Sequence, residues 1–167
     1  MDRRYLLIII IIFICVINLY MISNFSDVVG SASVDIGNYT VSLPEGFSLY
    51  ENHNDNILIS NPDKHMRINI YSNINPKDKY INQTQEIKSN SKYILLSNGT
   101  DNINGNTIQC IFFRNVADDN NCSMFYYSKF DHEFKIYMRG FNYDLQKDDS
   151  VKIAEQIVDT TRINYKR

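Results

Sequence analysis

The chain has 167 residues, 44% of them hydrophobic and 22% charged, which suits one domain with a proper core and leaves little room for a second. Its net charge of −2 gives no basic field to hold a polyanion, and the sequence shows neither a Lys/Arg-rich run nor an arginine–aromatic stripe, so nucleic acid is excluded as the expected partner. No acidic tail is present either.

The segment 5–22 opens on Tyr5, ends on Ile22 and has Asn18 as its only strongly polar residue. As a helix it spans about 27 Å at about 1.5 Å per residue, close to the roughly 30 Å of bilayer hydrocarbon. Arg3 and Arg4 precede it and no Lys or Arg follows until Lys64, which predicts a cytoplasmic N-terminus and an outward-facing body. A cleaved secretory signal is the rival, with Gly30, Ser31, Ala32 and Ser33 as small residues. The apolar stretch is longer than a signal core of about 7–15 residues and those small residues lie well past its end, so a retained anchor fits better. The expected organisation is a cytoplasmic stub at 1–4, a transmembrane helix at 5–22, a polar tether at 23–33 and an extracytoplasmic domain at 34–167.

Tyr39, Val41 and Leu43 alternate with polar residues, the period of a half-buried strand. Pro44-Glu45-Gly46 then reads as a corner, since proline lacks an amide hydrogen and glycine accepts positive φ; Phe47 and Leu49 are expected to resume the alternation. Strands follow at 56–60 and 65–72 around the turn 61–64. In the second, Met66, Ile68 and Ile70 point to a core while Arg67, Asn69 and Tyr71 point to a partly wet face.

Asn75-Pro76 reads as an N-cap with proline at the first helical position, opening a helix to about residue 92 with Tyr80, Ile81, Thr84 and Ile87 as its apolar stripe. Residues 94–96 re-enter a sheet, and Asn104-Gly105 marks a two-residue turn before the apolar run 108–113. Two long strands, 122–130 and 133–141, join at Asp131-His132. In the first of these Met124, Tyr126 and Phe130 face one way and Phe125 and Tyr127 the other, so both sides need covering. A last helix opens near Asp148-Asp149-Ser150, where carboxylates suit the positive end of the dipole, and presents Val151, Ala154, Ile157, Val158 and Thr161 to the sheet.

The early strand ending in SLPEGF, the run INGNTIQCIFF, the aromatic hairpin FYYSKFDHEFKIYM and the final helix SVKIAEQIVDTTRI together resemble the PsbP-like α/β/α sandwich family. That family includes photosynthetic accessory proteins and small membrane-anchored surface proteins of prokaryotes, methanogenic archaea among them. The resemblance covers most of the chain beyond Val34. It implies an α+β fold with a mostly antiparallel central sheet flanked by helices, preceded here by the N-terminal transmembrane helix. It also implies an accessory or binding role, and it offers no catalytic residue set to transfer.

Reactive constellations are missing. No G-x-S-x-G elbow and no phosphate-cradling glycine loop occurs, so no cofactor is expected. His53, His65 and His132 are far apart, and the best local metal group, His53 with Glu51 and Asp55, sits in a polar turn, so no metal is expected. The stretch 100–111 imitates a calcium loop but has Thr100 where Asp is required and Ile111 where a bidentate Glu is required. The pairs Asp118-Asp119 and Asp148-Asp149 read as a turn and a helix start.

Cys110 and Cys122 face an oxidising side of the membrane. A hairpin pairing Asn115 with Cys122 sets Cys110 opposite Tyr127, about 17 Å out of register at about 3.4 Å per residue, so a free buried Cys110 is expected. Five sequons occur, at Asn24, Asn38, Asn82, Asn98 and Asn121, with Asn98 and Asn121 in expected loops as the best glycan acceptors.

The reading is a non-enzymatic, membrane-anchored extracytoplasmic module for a protein or cell-envelope partner, with Tyr127 and Tyr137 of the aromatic hairpin as its candidate surface, although burial under a helix is the expected role of each. The alternative is a hydrolase whose site is assembled only in the fold, with Asp131, His132 and Glu133 at its centre. A pilin-like subunit fits less well, because the polar, glycine-containing tether interrupts the long helix such a subunit would need.

Overall fold

The computed structural model describes residues 32–141 and 145–164. The apolar segment 5–22, the sequon at Asn24 and nearly all of the tether fall outside these residues. Among the described residues no helix is long and apolar enough to cross a membrane.

In chain order the elements are β1 (Ser33–Ile36), β2 (Tyr39–Ser42), β3 (Ser48–His53), β4 (Asn56–Asn61), β5 (Met66–Tyr71), a single 3-10 turn (Pro76–Asp78), α1 (Tyr80–Ser89), β6 (Tyr93–Ile103), β7 (Asn106–Asn115), β8 (Asn120–Lys129), β9 (His132–Gly140), α2 (Lys147–Thr160) and β10 (Arg162–Ile163). They form two sheets, a small one in the order β1-β2-β10 and a seven-stranded one in the order β3-β4-β5-β9-β8-β7-β6. Every pairing is antiparallel.

The large sheet is covered on both faces. On one, Ile57, Ile68, Phe125, Phe134 and Ile136 pack against Ala154, Ile157 and Val158 of α2 and against Val34, Ile36 and Val41 of the small sheet. On the other, Ile111, Phe113, Cys122, Met124 and Tyr126 pack against Ile87 of α1. The two-sided pattern of β8 is thereby satisfied. Phe130 departs from it, because the strand ends at Lys129 and Phe130-Asp131 takes positive φ in the turn to β9.

The corner at 44–46 closes with Phe47 N–H donating to the Pro44 carbonyl at 3.0 Å, and Gly46 has φ of +78°. The corner moves the chain from the small sheet to the large one, so the strands either side of it never share a sheet. A Cβ at Gly46 would also lie 2.7 Å from Asn61 Nδ2, and Asn61 is buried with its Oδ1 accepting from Lys64 N–H. Gly105 has φ of +82° but open space where a Cβ would go. Gly105→Ala is therefore expected to cost about 1 kcal/mol from the left-handed backbone alone, and Gly46→Ala about 2–3 kcal/mol. Urea unfolding of both variants checks the difference; equal losses would remove the steric part of this account.

Two expected apolar placements fail for one reason: periodicity does not report where an element sits. All six residues of β3 are exposed because it is an edge strand, so Leu49 does not resume the core pattern. Ile81 is 66% exposed at the start of α1, and that helix stops at Ser89 instead of reaching about residue 92, where β6 must begin. Asn115 pairs with Asn120 and Cys122 with Phe113, two positions from the expected register. Both cysteines are nonetheless free, and they lie on opposite faces of the sheet.

Candidate functional site

The register of the large sheet sets Asn56, Tyr71, Lys135, Tyr126, Gln109 and Thr100 side by side in one row across the face that α1 covers. Asn75 Oδ1 caps the 3-10 turn by accepting from Lys77 N–H at 3.1 Å, and this turn delivers Asp78, Lys79 and α1 to one end of the row. A groove of about 570 Å³ opens there. Ile74, Tyr80 and Ile81 form its apolar wall and Thr107, Gln109 and Tyr126 its polar and aromatic side.

The groove is fixed by local contacts. The Tyr80 ring meets Tyr126 edge-on at 5.9 Å, and the Tyr80 hydroxyl accepts from Asn98 Nδ2 at 3.1 Å. Lys79 Nζ pairs with Glu133 Oε2 at 3.1 Å along the rim. Burial raises the Tyr126 hydroxyl well above the usual tyrosine range, reinforced by the negative charges of Asp78 and Glu86, so it stays a neutral donor.

Beside the groove Lys135 is buried, its Nζ 5.6 Å from the Tyr71 ring centroid, 5.8 Å from that of Tyr126 and 3.9 Å from Asp78 Oδ1. Desolvation lowers its pKa, while the carboxylates of Asp78 and Glu86 act in the opposite sense. The adjoining hollow, about 80 Å³, falls well short of the roughly 300 Å³ at which ligand pockets begin, so the geometry reads as a buried ion pair under two rings.

The residues singled out from sequence are dispersed. His132 sits on the α2 side of the sheet, stacked on Tyr39 at 5.0 Å, with Nε2 against the Ser72 carbonyl. Glu133 points to the other face and pairs with Lys79, so the centre expected at Asp131, His132 and Glu133 is not assembled. His53 lies 3.7 Å from Glu51 on exposed β3, and among the described residues no group of three or more His, Cys, Asp or Glu is placed to hold a metal ion. Asp118 pairs with Arg139 at 2.7 Å and Asp119 with Arg114, which accounts for that acidic pair; Asp148 and Asp149 occupy the first turn of α2.

Tyr127 is only 3% exposed, its hydroxyl within 3.1 Å of Thr161 Oγ1 and its ring stacked on Phe134, so it offers no partner surface. Tyr137 is half-buried and donates to Cys122 Sγ at 3.6 Å. Asn98 and Asn121 lie on β6 and β8 instead of loops. Asn38 occupies the β1–β2 turn, and the Thr84 hydroxyl of the Asn82 sequon is buried against the Tyr80 carbonyl.

Sequence reasoning missed the groove because Tyr80, Gln109 and Tyr126 meet only through long-range register. The nearest signal was Asn75-Pro76, which opens the 3-10 turn ahead of α1 and not α1 itself, whose first residue is Tyr80.

No protein-family model and no curated protein matches the chain. Similar solved structures include the solution structure of cyanobacterial PsbP from Synechocystis, at 10% identity over 81% of this chain and 95% of that one, with a TM-score of 0.48. Another is LpqN, described as involved in cell envelope biogenesis of Mycobacterium tuberculosis, at 13% identity over 80% and 90% of the two chains, with a TM-score of 0.45. A third is a protein from Bacteroides thetaiotaomicron, at 14% identity with a TM-score of 0.48; the match covers 82% of this chain and 50% of that one. Each is a likeness in the course of the chain, at an identity that transfers no residue and no role.

Proposed function

We propose that the protein is a non-enzymatic accessory or binding module, tethered to a membrane by residues 5–22 with its body on the extracytoplasmic side, and that the groove at the start of α1 takes a protein or cell-envelope partner. The groove itself carries this reading. At about 570 Å³ it falls in the range of ligand sites. Its wall joins an exposed isoleucine to a fixed tyrosine, and its other side offers neutral amide and hydroxyl groups that both donate and accept.

The test uses the full-length chain in detergent, immobilised and exposed to native envelope extract. Ile81 and Gln109 are exposed, so Ile81→Ser and Gln109→Ala leave the fold intact. The double variant is expected to lose at least about tenfold in retention of any species the wild type holds, a loss of about 1.4 kcal/mol. Retention unchanged in the double variant would place binding elsewhere.

A further inference from the structure

β6 has 11 residues and lies at one end of the large sheet, so its outer row of backbone N–H and C=O groups faces away from β7. Such a row is a template for another strand. The opposite edge, β3, has 6 residues, and Asn52 Nδ2 there donates to the Asp35 carbonyl at 3.4 Å, which ties it to the small sheet. Two large apolar side chains of β6 stand in solvent, Ile94 at 52% exposure and Leu96 at 55%.

The pattern along β6 is self-complementary when the strand is turned end for end. Pairing with β7 sets Leu95 opposite Phe113 and Ser97 opposite Phe112, which leaves Leu96 as a bulged residue. The extra residue reverses the alternation. Tyr93, Leu95, Asn98 and Thr100 therefore belong to the α1 face, and Ile94, Ser97, Gly99 and Asp101 to the α2 face. Lys92 continues the second set one residue before the strand, its carbonyl accepting from Val116 N–H at 2.8 Å. Lys92 and Asp101 are 101 − 92 = 9 residues apart and share a face only because of the bulge.

A second copy laid antiparallel on this edge, with the two-fold axis at Ser97, meets a fitting residue at each step. Lys92 stands opposite Asp101 of the second copy at both ends, and the segment between them holds no other charge. Ile94 stands opposite Gly99, which has open space where a Cβ would go. Tyr93 meets Thr100, Leu95 meets Asn98, and Ser97 meets its own mate. The bulges lie together beside the axis and bend both strands alike. Moving the axis to Asn98 would set Lys92 against Ile103 and Ile94 against Asp101.

We propose that β6 pairs with β6 of a second copy of this chain, joining the two large sheets across a two-fold axis at Ser97. Both copies use the same edge, so the association closes at two. None of the residues lining the groove lies on β6, and the two readings stand or fall independently.

The test is sedimentation equilibrium of the full-length chain in density-matched detergent micelles over a concentration series. Dimerisation is expected to weaken at least about tenfold in Lys92→Asp and in Asp101→Lys, and to return when the two are combined. Gly99 has no positive φ and open space around it, so Gly99→Val leaves the monomer folded while filling the seat of Ile94, with a loss of similar size expected. Register is read by thiol cross-linking in a Cys15→Ser background, since Cys110 and Cys122 are buried. A short bismaleimide is expected to link Ser97→Cys to its mate, whereas Thr100→Cys, about 20 Å from its mate at about 3.4 Å per residue, stays unlinked. A chain that stays monomeric, a dimer indifferent to charge reversal as one held by residues 5–22 would be, a double reversal that fails to restore it, or linking at Thr100→Cys in place of Ser97→Cys would each overturn the proposal.

Discussion

Replacing Phe134 with alanine is expected to cost about 3–5 kcal/mol, a large share of the roughly 5–15 kcal/mol that holds an ordinary domain together. Phe134 is fully buried on β9 and meets Tyr127 face to face at 5.0 Å. It also meets Tyr39 edge-on at 4.9 Å and His132 at 5.2 Å. Tyr39 belongs to the small sheet and Phe134 to the large one, so this ring is a rivet between them as well as core volume. Truncation leaves a cavity that three rings and a β-sheet cannot readily collapse. Phe134→Leu, which keeps most of the volume, is expected to lose roughly 1–2 kcal/mol. Hydrogen exchange adds a spatial check: amides of β1 and β2 should lose protection before those of β7 and β8. A loss below about 1.5 kcal/mol for the alanine variant, or uniform loss of protection, would remove Phe134 from this role.

Raising the pH from about 8 to about 11 is expected to weaken the fold steeply. Burial lifts the hydroxyl pKa values of Tyr126, Tyr127 and Tyr137 well above the ordinary tyrosine range, and that of Tyr71 to a lesser degree. In the unfolded chain these groups ionise near about 10. Above that pH the unfolded chain therefore binds fewer protons than the native one, and stability falls as pH rises, by up to about 1.4 kcal/mol per pH unit for each fully retained proton. Cys110 and Cys122, also raised by burial, act in the same sense from a lower pH. Lys129 and Lys135, lowered by desolvation, act in the opposite sense and stabilise as pH rises toward their unfolded value near about 10.4. The tyrosines outnumber them and keep acting above it. Urea unfolding across this range, with tyrosinate absorbance of the folded chain as a second reading, measures the effect. Tyr127→Phe should flatten the decline by about one group's share. A midpoint indifferent to pH, or buried tyrosines that titrate near about 10 while folded, would refute it.

Much of the architecture was written locally. The alternation Met66-Ile68-Ile70 gave the buried face of β5, the stripe through Ala154, Ile157 and Val158 gave the face of α2, and Asn104-Gly105 gave the turn between β6 and β7. Those patterns depend on a residue and its near neighbours. What escaped depends on partners distant in sequence. Nothing around Pro44 tells that β2 and β3 serve different sheets, because a corner has the same chemistry whichever sheet it feeds. Asparagine disfavours strands, yet Asn98 and Asn121 sit in them because their neighbours' pairings outweigh that preference. Arg67 and Arg139 likewise meet the rings of Tyr50 and Phe141 only across β3, β5, β9 and the position after it. The groove was hidden for the same reason.

The small sheet carries a further consequence, one of timing. β2 lies between the first strand and the last, and Arg162 pairs with Thr40, 162 − 40 = 122 residues earlier in the chain. A chain made from its N-terminus presents Val34, Ile36 and Val41 long before α2 and β10 exist to cover them. Closing so long a loop is slow, since its entropy is lost before the contact forms. The β1–β2 ribbon must therefore wait for α2 and β10 with one side of β2 open, and a chain cut short before Arg162 leaves that side without its strand.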